Sequence, residues 1–325
     1  MINLKGVVIM GKNFNRKVSI IGAGNVGSTI AFSLVNSGFV SEIALLDRNE
    51  LKAEGQVMDM MHGLPFVKPV KIYTGGFGVI EGSDIIVITA GATMENGETR
   101  IDLVYKNTFI FKELLTSITP YIGDAIILVV TNPVDIMSYL TYKLTGLPKE
   151  RVIGSGTVLD TARFQTMVGE HLGITPRDVR GYILGEHGDS EFAAWSSTNV
   201  AGIPMENFCN QTGVCTPDTT KDNIEKEVRY AGYEVLNRKG STYYAIGLAV
   251  NKIIESILLD ENAVLTVSSL LSGQYGLEDV FLSVPCIVNK NGVDKILTMP
   301  LSERENEKLM NSANLLKDVI SSVKL

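Results

Sequence analysis

Apolar residues recur along this chain in two patterns. Lys17-Val18-Ser19-Ile20-Ile21 and Glu42-Ile43-Ala44-Leu45-Leu46 are short apolar runs, and Asp84-Ile85-Ile86-Val87-Ile88-Thr89 and Ala125-Ile126-Ile127-Leu128-Val129-Val130 are longer ones. Continuous runs of this kind predict strands of a parallel sheet covered on both faces. Helical patterns separate them, one from Ser28 to Ser37 and one beginning near Ile101. In the second half Ala162, Met167, Val168 and Leu172 repeat at helical spacing, and 245–259 predicts a largely apolar helix. Stretches 263–268 and 280–288 predict strands, and Asn291-Gly292 marks a hairpin into Val293–Leu297. Ser302-x-x-Glu305, just after Pro300, predicts a capping-box start to the last helix. The predicted fold is α/β, a doubly wound parallel sheet followed by a mixed α+β half, with no internal repeat.

The first of these strands runs straight into Gly22-Ala23-Gly24-Asn25-Val26-Gly27 and then a helix. G-x-G-x-x-G in that context predicts a dinucleotide fingerprint. The first glycine permits a tight turn, the second lets backbone approach a pyrophosphate, and the third lets helix pack on strand. The pyrophosphate would meet unpaired amides at the helix N-terminus. The next strand ends in Asp47, twenty residues after Gly27. An acid there accepts from ribose hydroxyls and repels a 2′-phosphate, so NAD is favoured over NADP, although Arg48 beside it softens that exclusion. The later strands end in Ala90-Gly91-Ala92, small enough for a nucleotide to lie on backbone, and in Thr131-Asn132-Pro133, either a cis-proline turn or an ordinary one.

Composition narrows the partners. The chain has 325 residues, 45% hydrophobic, enough for about two packed domains. Its net charge is −7 with Lys and Arg scattered, which disfavours nucleic acid and anionic membranes but leaves small acidic substrates open. Cys209, Cys215 and Cys286 lack metal-ligand spacing and are expected to be free thiols of a reducing cytoplasm, with no metal site. Gly6–Met10 is too short for a signal-peptide core, and no stretch approaches a membrane span. Residues 1–16 are expected to form an N-terminal extension, within which Met10 is a second candidate start.

Candidate chemistry gathers in the second half. Of three histidines, only His187 sits between glycines and acids, in Gly185-Glu186-His187-Gly188-Asp189. Imidazole both gives and takes a proton near neutral pH, and the glycines leave room beside it. Asp160 and Arg163 are three apart on a predicted helix. They are either a surface ion pair or an acid orienting an imidazole beside a fork that grips a carboxylate. Thr93–Arg100 is polar and reads as a loop able to close over a site, with Arg100 poorly placed for a helix start unless functional.

Taken in order, Gly22-x-Gly24-x-x-Gly27, Ile88–Ala92, Gly97-Glu98-Thr99-Arg100, Thr131-Asn132-Pro133-Val134-Asp135, Gly154–Thr157, Leu159–Phe164 and Gly185–Asp189 resemble the L-lactate/malate dehydrogenase family, the lactate branch more closely. The resemblance runs from Lys17 to the C-terminal helix. It implies a Rossmann-type NAD domain over 17–154 and a catalytic, substrate-binding domain over 155–325, usually in a cytoplasmic homotetramer (a dimer of dimers) serving glycolysis and fermentation. Hydride would pass between NAD and an L-2-hydroxy acid. His187 would donate and accept the proton, Asp160 hold its tautomer, Arg163 bind the substrate carboxylate, and Arg100 polarise the carbonyl. Met94, Asn132, Thr242 and Gly232 would line the substrate pocket. Cofactor contacts would fall on Gly22, Gly24, Asn25, Val26, Gly27, Asp47, Lys52, Thr89, Ala90, Gly91, Thr131 and Asn132.

Two positions depart from the family. Met94 stands where lactate enzymes carry glutamine and malate enzymes arginine. A second carboxylate would lack a partner there, so oxaloacetate is disfavoured and longer apolar side chains are expected to be accepted, with Gly232 adding room. Gln165 and Arg180 stand where many bacterial members use an arginine and a histidine to bind fructose bisphosphate, so strong activation by it is not expected. The alternatives are an L-2-hydroxyisocaproate-like or other broad 2-hydroxy-acid dehydrogenase, then malate dehydrogenase. An NAD(H) sensor without turnover is disfavoured because all four chemical residues are present.

Overall fold

The computed structural model describes residues 16–92, 100–214 and 216–322. Its first half alternates strand and helix: β1 (Lys17–Ile21), α1 (Asn25–Ser37), β2 (Glu42–Leu46), α2 (Glu50–His62), β3 (Lys71–Tyr73), β4 (Ile85–Ile88), α3 (Arg100–Ile122), β5 (Ile126–Val129), α4 (Val134–Thr145) and β6 (Val152–Gly154). These strands pair in parallel in the order β6-β5-β4-β1-β2-β3. The order reverses beside β1, which lies between β2 and β4, and the crevice at such a reversal is where doubly wound sheets bind ligands. The sheet centre is buried on both faces, as the unbroken apolar runs require. Helix α1 begins three residues before the predicted stretch, because Asn25-Val26-Gly27 of the fingerprint form its first turn.

The second half contains α5 (Val158–Leu172), β7 (Val179–Arg180), β8 (Ile183–Leu184), β9 (Phe192–Ala193), β10 (Asn199–Val200), β11 (Ile203–Pro204), α6 (Met205–Thr212), α7 (Asp218–Lys239), α8 (Tyr244–Leu258), β12 (Ala263–Leu265), β13 (Ser268–Ser272), β14 (Glu278–Ser283), β15 (Cys286–Asn289), β16 (Gly292–Ile296) and α9 (Glu303–Ser322). Helix α5 packs Phe164, Val168 and Leu172 against Ile224 and Val228 of α7. Phe164 is fully buried edge-on to Trp195, their ring centroids 4.8 Å apart. Burying that ring contributes about 2–3 kcal/mol to holding α5 in place.

The predicted strand over 263–268 is two strands in different sheets. β12 pairs with β15, whereas β13 pairs with β14 and adds to β6, extending the parallel sheet with an antiparallel pair. The ladder cannot continue through Thr266, because its carbonyl accepts from the Thr157 amide at 3.0 Å. The stretch over 280–288 also divides, at Val284-Pro285, where proline has no amide to donate. The last hairpin turns at Lys290-Asn291, one residue earlier than predicted. Gly292 is its first strand residue, at φ 97°, and a Cβ there would sit 2.0 Å from the Glu150 carbonyl oxygen. The capping box is present: Glu305 accepts from the Ser302 amide at 2.8 Å, and Ser302 Oγ from the Glu305 amide at 3.3 Å.

Candidate active site

The glycine fingerprint is built by close packing. A Cβ on Gly27 would lie 1.8 Å from the Gly22 carbonyl oxygen, and one on Gly22 would lie 2.6 Å from Thr89 Oγ1. Above Gly24 there is open space, with Lys52 Nζ 4.0 Å away. Gly24 caps α1 without a side-chain hydrogen bond, and the first turn holds no acid. Open backbone, a bare helix N-terminus and a nearby ammonium fit a pyrophosphate. Asp47 closes β2, its carboxylate accepting from the Ala23 amide at 2.7 Å and the Asn49 amide at 2.9 Å. The residues present therefore fit a dinucleotide.

The loops after β4 and β5 are tied together. Thr131 Oγ1 donates to the Ala90 carbonyl at 2.8 Å, and a Cβ on Gly91 would meet Thr131 Cγ2 at 2.4 Å. Buried Asn107 on α3 bridges them, accepting from the Ala92 amide and donating to the Asn132 carbonyl, both at 2.7 Å. The Asn132-Pro133 peptide is cis. Asn25 donates to Ser241 Oγ at 2.9 Å, joining the fingerprint to the segment carrying Thr242.

At the centre, His187 Nδ1 lies 2.6 Å from Asp160 Oδ2, and Arg163 Nη1 donates to Asp160 Oδ1 at 2.8 Å. Asp160 is buried in the first turn of α5, so both partners meet a fixed carboxylate. The His187 segment is pinned from behind. Its amide donates to Asp135 Oδ2 at 2.8 Å, Ser268 Oγ donates to Asp135 Oδ1 at 2.5 Å, and the Glu186 amide donates to Ser312 Oγ at 2.6 Å. The His187 side chain stays 26% exposed, toward a cleft of about 400 Å³.

That cleft is lined by Asp160, Arg163 and His187, with Val26 and Asn132 from the cofactor side and Gly232 and Thr242 from the other. Three of the four expected chemical residues thus share one cleft with two of the expected cofactor residues. Met94 lies outside the described residues, and for Arg100 only the helical backbone at the start of α3 is described. Gln165 donates to the Gly181 carbonyl at 3.2 Å, and Arg180 is exposed on β7.

Burial pulls the His187 imidazole down, but the Asp160 charge and hydrogen bond outweigh it, so its pKa is pushed up to about 9. Burial raises Asp160 less than His187 and Arg163 lower it, so it stays ionised. Burial pushes Asp135 up to about 6, against the Ser268 and His187 donors. A half-buried imidazolium held by a carboxylate, with its other nitrogen left to the cleft, can deliver a proton to a carbonyl oxygen. The donor atoms of Asp160, His187 and Glu191 lie within 4.8 Å of one another, near enough to ligate a cation, but Arg163 on Asp160 opposes further positive charge.

Four contributors escaped the sequence reading: Asn107, Asp135 as the backbone anchor, Glu191 and Arg229. Arg229, Gly232 and Leu236 line the cleft at helical spacing along α7, a stripe that could have disclosed that wall. Asn107 and Glu191 left no such signal, since each matters through contacts across the fold.

Residues 16–154 match the family model described as lactate/malate dehydrogenase, NAD binding domain, and 157–324 the one described as lactate/malate dehydrogenase, alpha/beta C-terminal domain. An L-lactate dehydrogenase of Acetivibrio thermocellus is 54% identical over 95% of this chain and 97% of its own length. L-lactate dehydrogenase 1 of Clostridium acetobutylicum is 52% identical over 95% and 99%. A crystal structure of the minor L-lactate dehydrogenase from Enterococcus mundtii, in a ligands-bound form, superposes with TM-score 0.93 at 40% identity, covering 96% of this chain and 99% of that one. Matched through both halves in the order its motifs run, the chain belongs to the lactate/malate dehydrogenase family.

Proposed function

We propose that this protein is an NAD-dependent L-lactate dehydrogenase, interconverting pyruvate and L-lactate and also accepting larger apolar 2-oxo acids. The observation that carries this is the chain Arg163–Asp160–His187 opening on the cleft that the fingerprint helix shares. Arg163, with one nitrogen on Asp160, binds the substrate carboxylate with its remaining donors. That grip sets which face of the 2-oxo carbon meets the cofactor. His187 protonates the carbonyl oxygen, and Asp160 keeps the proton on Nδ1 and stabilises the imidazolium. In the opposite direction neutral His187 takes the hydroxyl proton. Arg100, which opens α3, is assigned the role of stabilising charge that grows on the carbonyl oxygen. Gly22–Gly27 and Asp47 would hold NAD, which when bound would accept or donate the hydride. Apolar Val130, Ile246 and Val319 line the same cleft.

Substrate breadth is read from the α7 wall. A Cβ on Gly232 would meet nothing within 4 Å, and Tyr233 and Leu236 continue an apolar lining able to take side chains longer than methyl. Met94 supports the same reading and opposes a second carboxylate. The placement of these groups supports a division into a cofactor half over 17–154 and a catalytic half from 155. Phe32 on α1 and Leu248 on α8 are 59% and 67% exposed, which supports assembly into a homo-oligomer, a tetramer by family analogy; a cytoplasmic place of work rests on that analogy alone. The lost cation at Gln165 argues against strong sugar-bisphosphate activation.

NADH oxidation with a panel of 2-oxo acids tests the reading. Pyruvate and 2-oxoisocaproate should both turn over and oxaloacetate poorly. A purified protein that binds NADH yet reduces none of them would refute it, and a negligible kcat/KM for 2-oxoisocaproate against pyruvate would refute the breadth alone.

A further inference from the structure

Beside His187 and Asp160 sits a second buried acid that the mechanism above does not use. Glu191 is 4% exposed, and its Oε2 lies 4.0 Å from His187 Nδ1. Its backbone is held on both sides: its amide donates to the Gly188 carbonyl at 3.2 Å, and its carbonyl accepts from Arg229 Nη2 at 2.9 Å. Asp160 has no comparable freedom, since Arg163 occupies one oxygen and His187 the other. The separation of Glu191 from the ring is too long for a hydrogen bond. It is short for a charge in a poorly hydrated cleft, where Coulomb forces are weakly screened.

We propose that Glu191 is a positioning residue for His187, a second acid beside Asp160 whose ionisation extends the imidazolium to higher pH. The inference rests on the reading of His187 as the proton donor. The charged and titratable groups facing this pair are Asp160 and Arg163 from α5, Arg229 from α7 and Asp135 from α4, with Glu186 and Asp189 on the same segment as His187. Burial first, then the neighbouring Asp160 charge, pushes the Glu191 carboxyl up to about 8 against the pull of His187, Arg163 and Arg229. Around neutrality Glu191 is thus an uncharged wall, and Asp160 alone holds the imidazolium. As pH rises through its pKa, Glu191 becomes a second anion beside the ring and retains the proton that would otherwise leave. Reduction, which needs imidazolium, extends to higher pH, and oxidation, which needs neutral imidazole, sets in later.

Glu191→Gln keeps the shape and removes the ionisation, while Glu191→Asp keeps a charge set further back. Two measurements are made on each full-length protein. One is kcat/KM for pyruvate from about pH 6 to about pH 10. The other is the NMR titration of the His187 ring, distinguishable because the chain has three histidines in all. In the Gln variant the alkaline limb and the His187 midpoint should both fall by about half a pH unit or more, a roughly threefold loss of kcat/KM on the alkaline side. The Asp variant should lie between Gln and wild type. Superposed profiles, or a loss in the Gln variant equal at every pH, would overturn the proposal. The NMR midpoint needs no turnover, so an enzyme inert toward pyruvate would sink the functional reading while the Glu191 effect was still measured.

Discussion

Asp160→Asn tests the centre of the site with almost no change of shape. The substitution removes the charge that accepts from His187 Nδ1 at 2.6 Å and from Arg163 at 2.8 Å. With it goes the main influence holding His187 at about 9, while burial, which pulls the imidazole down, remains. Falling back to the ordinary histidine value near 6.5 corresponds to roughly 3 kcal/mol less stabilisation of the imidazolium. At about pH 7.5 only about a tenth of the variant would carry the proton, so protonation state alone costs about tenfold. Loss of tautomer control and of support for the charge in the transition state brings the fall in kcat/KM to about 10²–10⁴-fold. The assay is NADH oxidation by pyruvate against pH, at temperatures well below the variant's melting point, because stripping a buried ion of its partner destabilises the fold. The alkaline limb should move acidward by about two and a half pH units. NADH binding, followed by fluorescence, should persist because the Asp160 carboxylate bonds to His187 and Arg163 rather than to the glycine loop. A limb that stayed in place with kcat/KM within about threefold of wild type would refute the coupling of Asp160 to His187.

Further expectations concern the scaffold and the pocket. Gly27→Ala places a methyl 1.8 Å from the Gly22 carbonyl oxygen and should destabilise by about 1–3 kcal/mol or more, whereas Gly24→Ala, with only Lys52 Nζ at 4.0 Å, should melt like wild type yet bind NADH more weakly; differential scanning calorimetry and NADH titration compare them. Glu305→Gln should cost about 1–2 kcal/mol at neutral pH, since the carboxylate accepts from the amides of Ser196 and Ser302. Burial raises the Glu305 pKa less than those donors lower it, so its contribution is present above the unfolded carboxylate value and is lost as pH falls through the depressed one. Denaturation of both proteins near neutrality and in acid should therefore show the difference closing on the acid side. Gly232→Leu fills open space on α7 and replaces a helical glycine. It should raise stability by up to about 1 kcal/mol and lower kcat/KM for 2-oxoisocaproate relative to pyruvate; an unchanged ratio would remove Gly232 from the pocket.

Much of this protein could be read from residue order. The unbroken apolar runs specify strands buried on both faces, and the glycine spacing with Asp47 specifies a dinucleotide turn, because each is a local demand of backbone sterics and burial. The Asp160–Arg163 spacing on one helix face and the isolation of His187 among glycines likewise pointed to three side chains that the fold brings into one hydrogen-bonded cluster. Tertiary structure decided the rest, through contacts between residues far apart in the chain. Thr157 takes the Thr266 carbonyl and so splits a predicted strand, sending β13 to the edge of the parallel sheet. Asp135 reaches the His187 amide, Asn107 ties two cofactor loops, and Glu191 comes to rest beside the imidazole. None of these carries a periodic or spacing signal, since which carboxylates are dry and which imidazole they face depends on how α4, α5 and α7 close around one cleft.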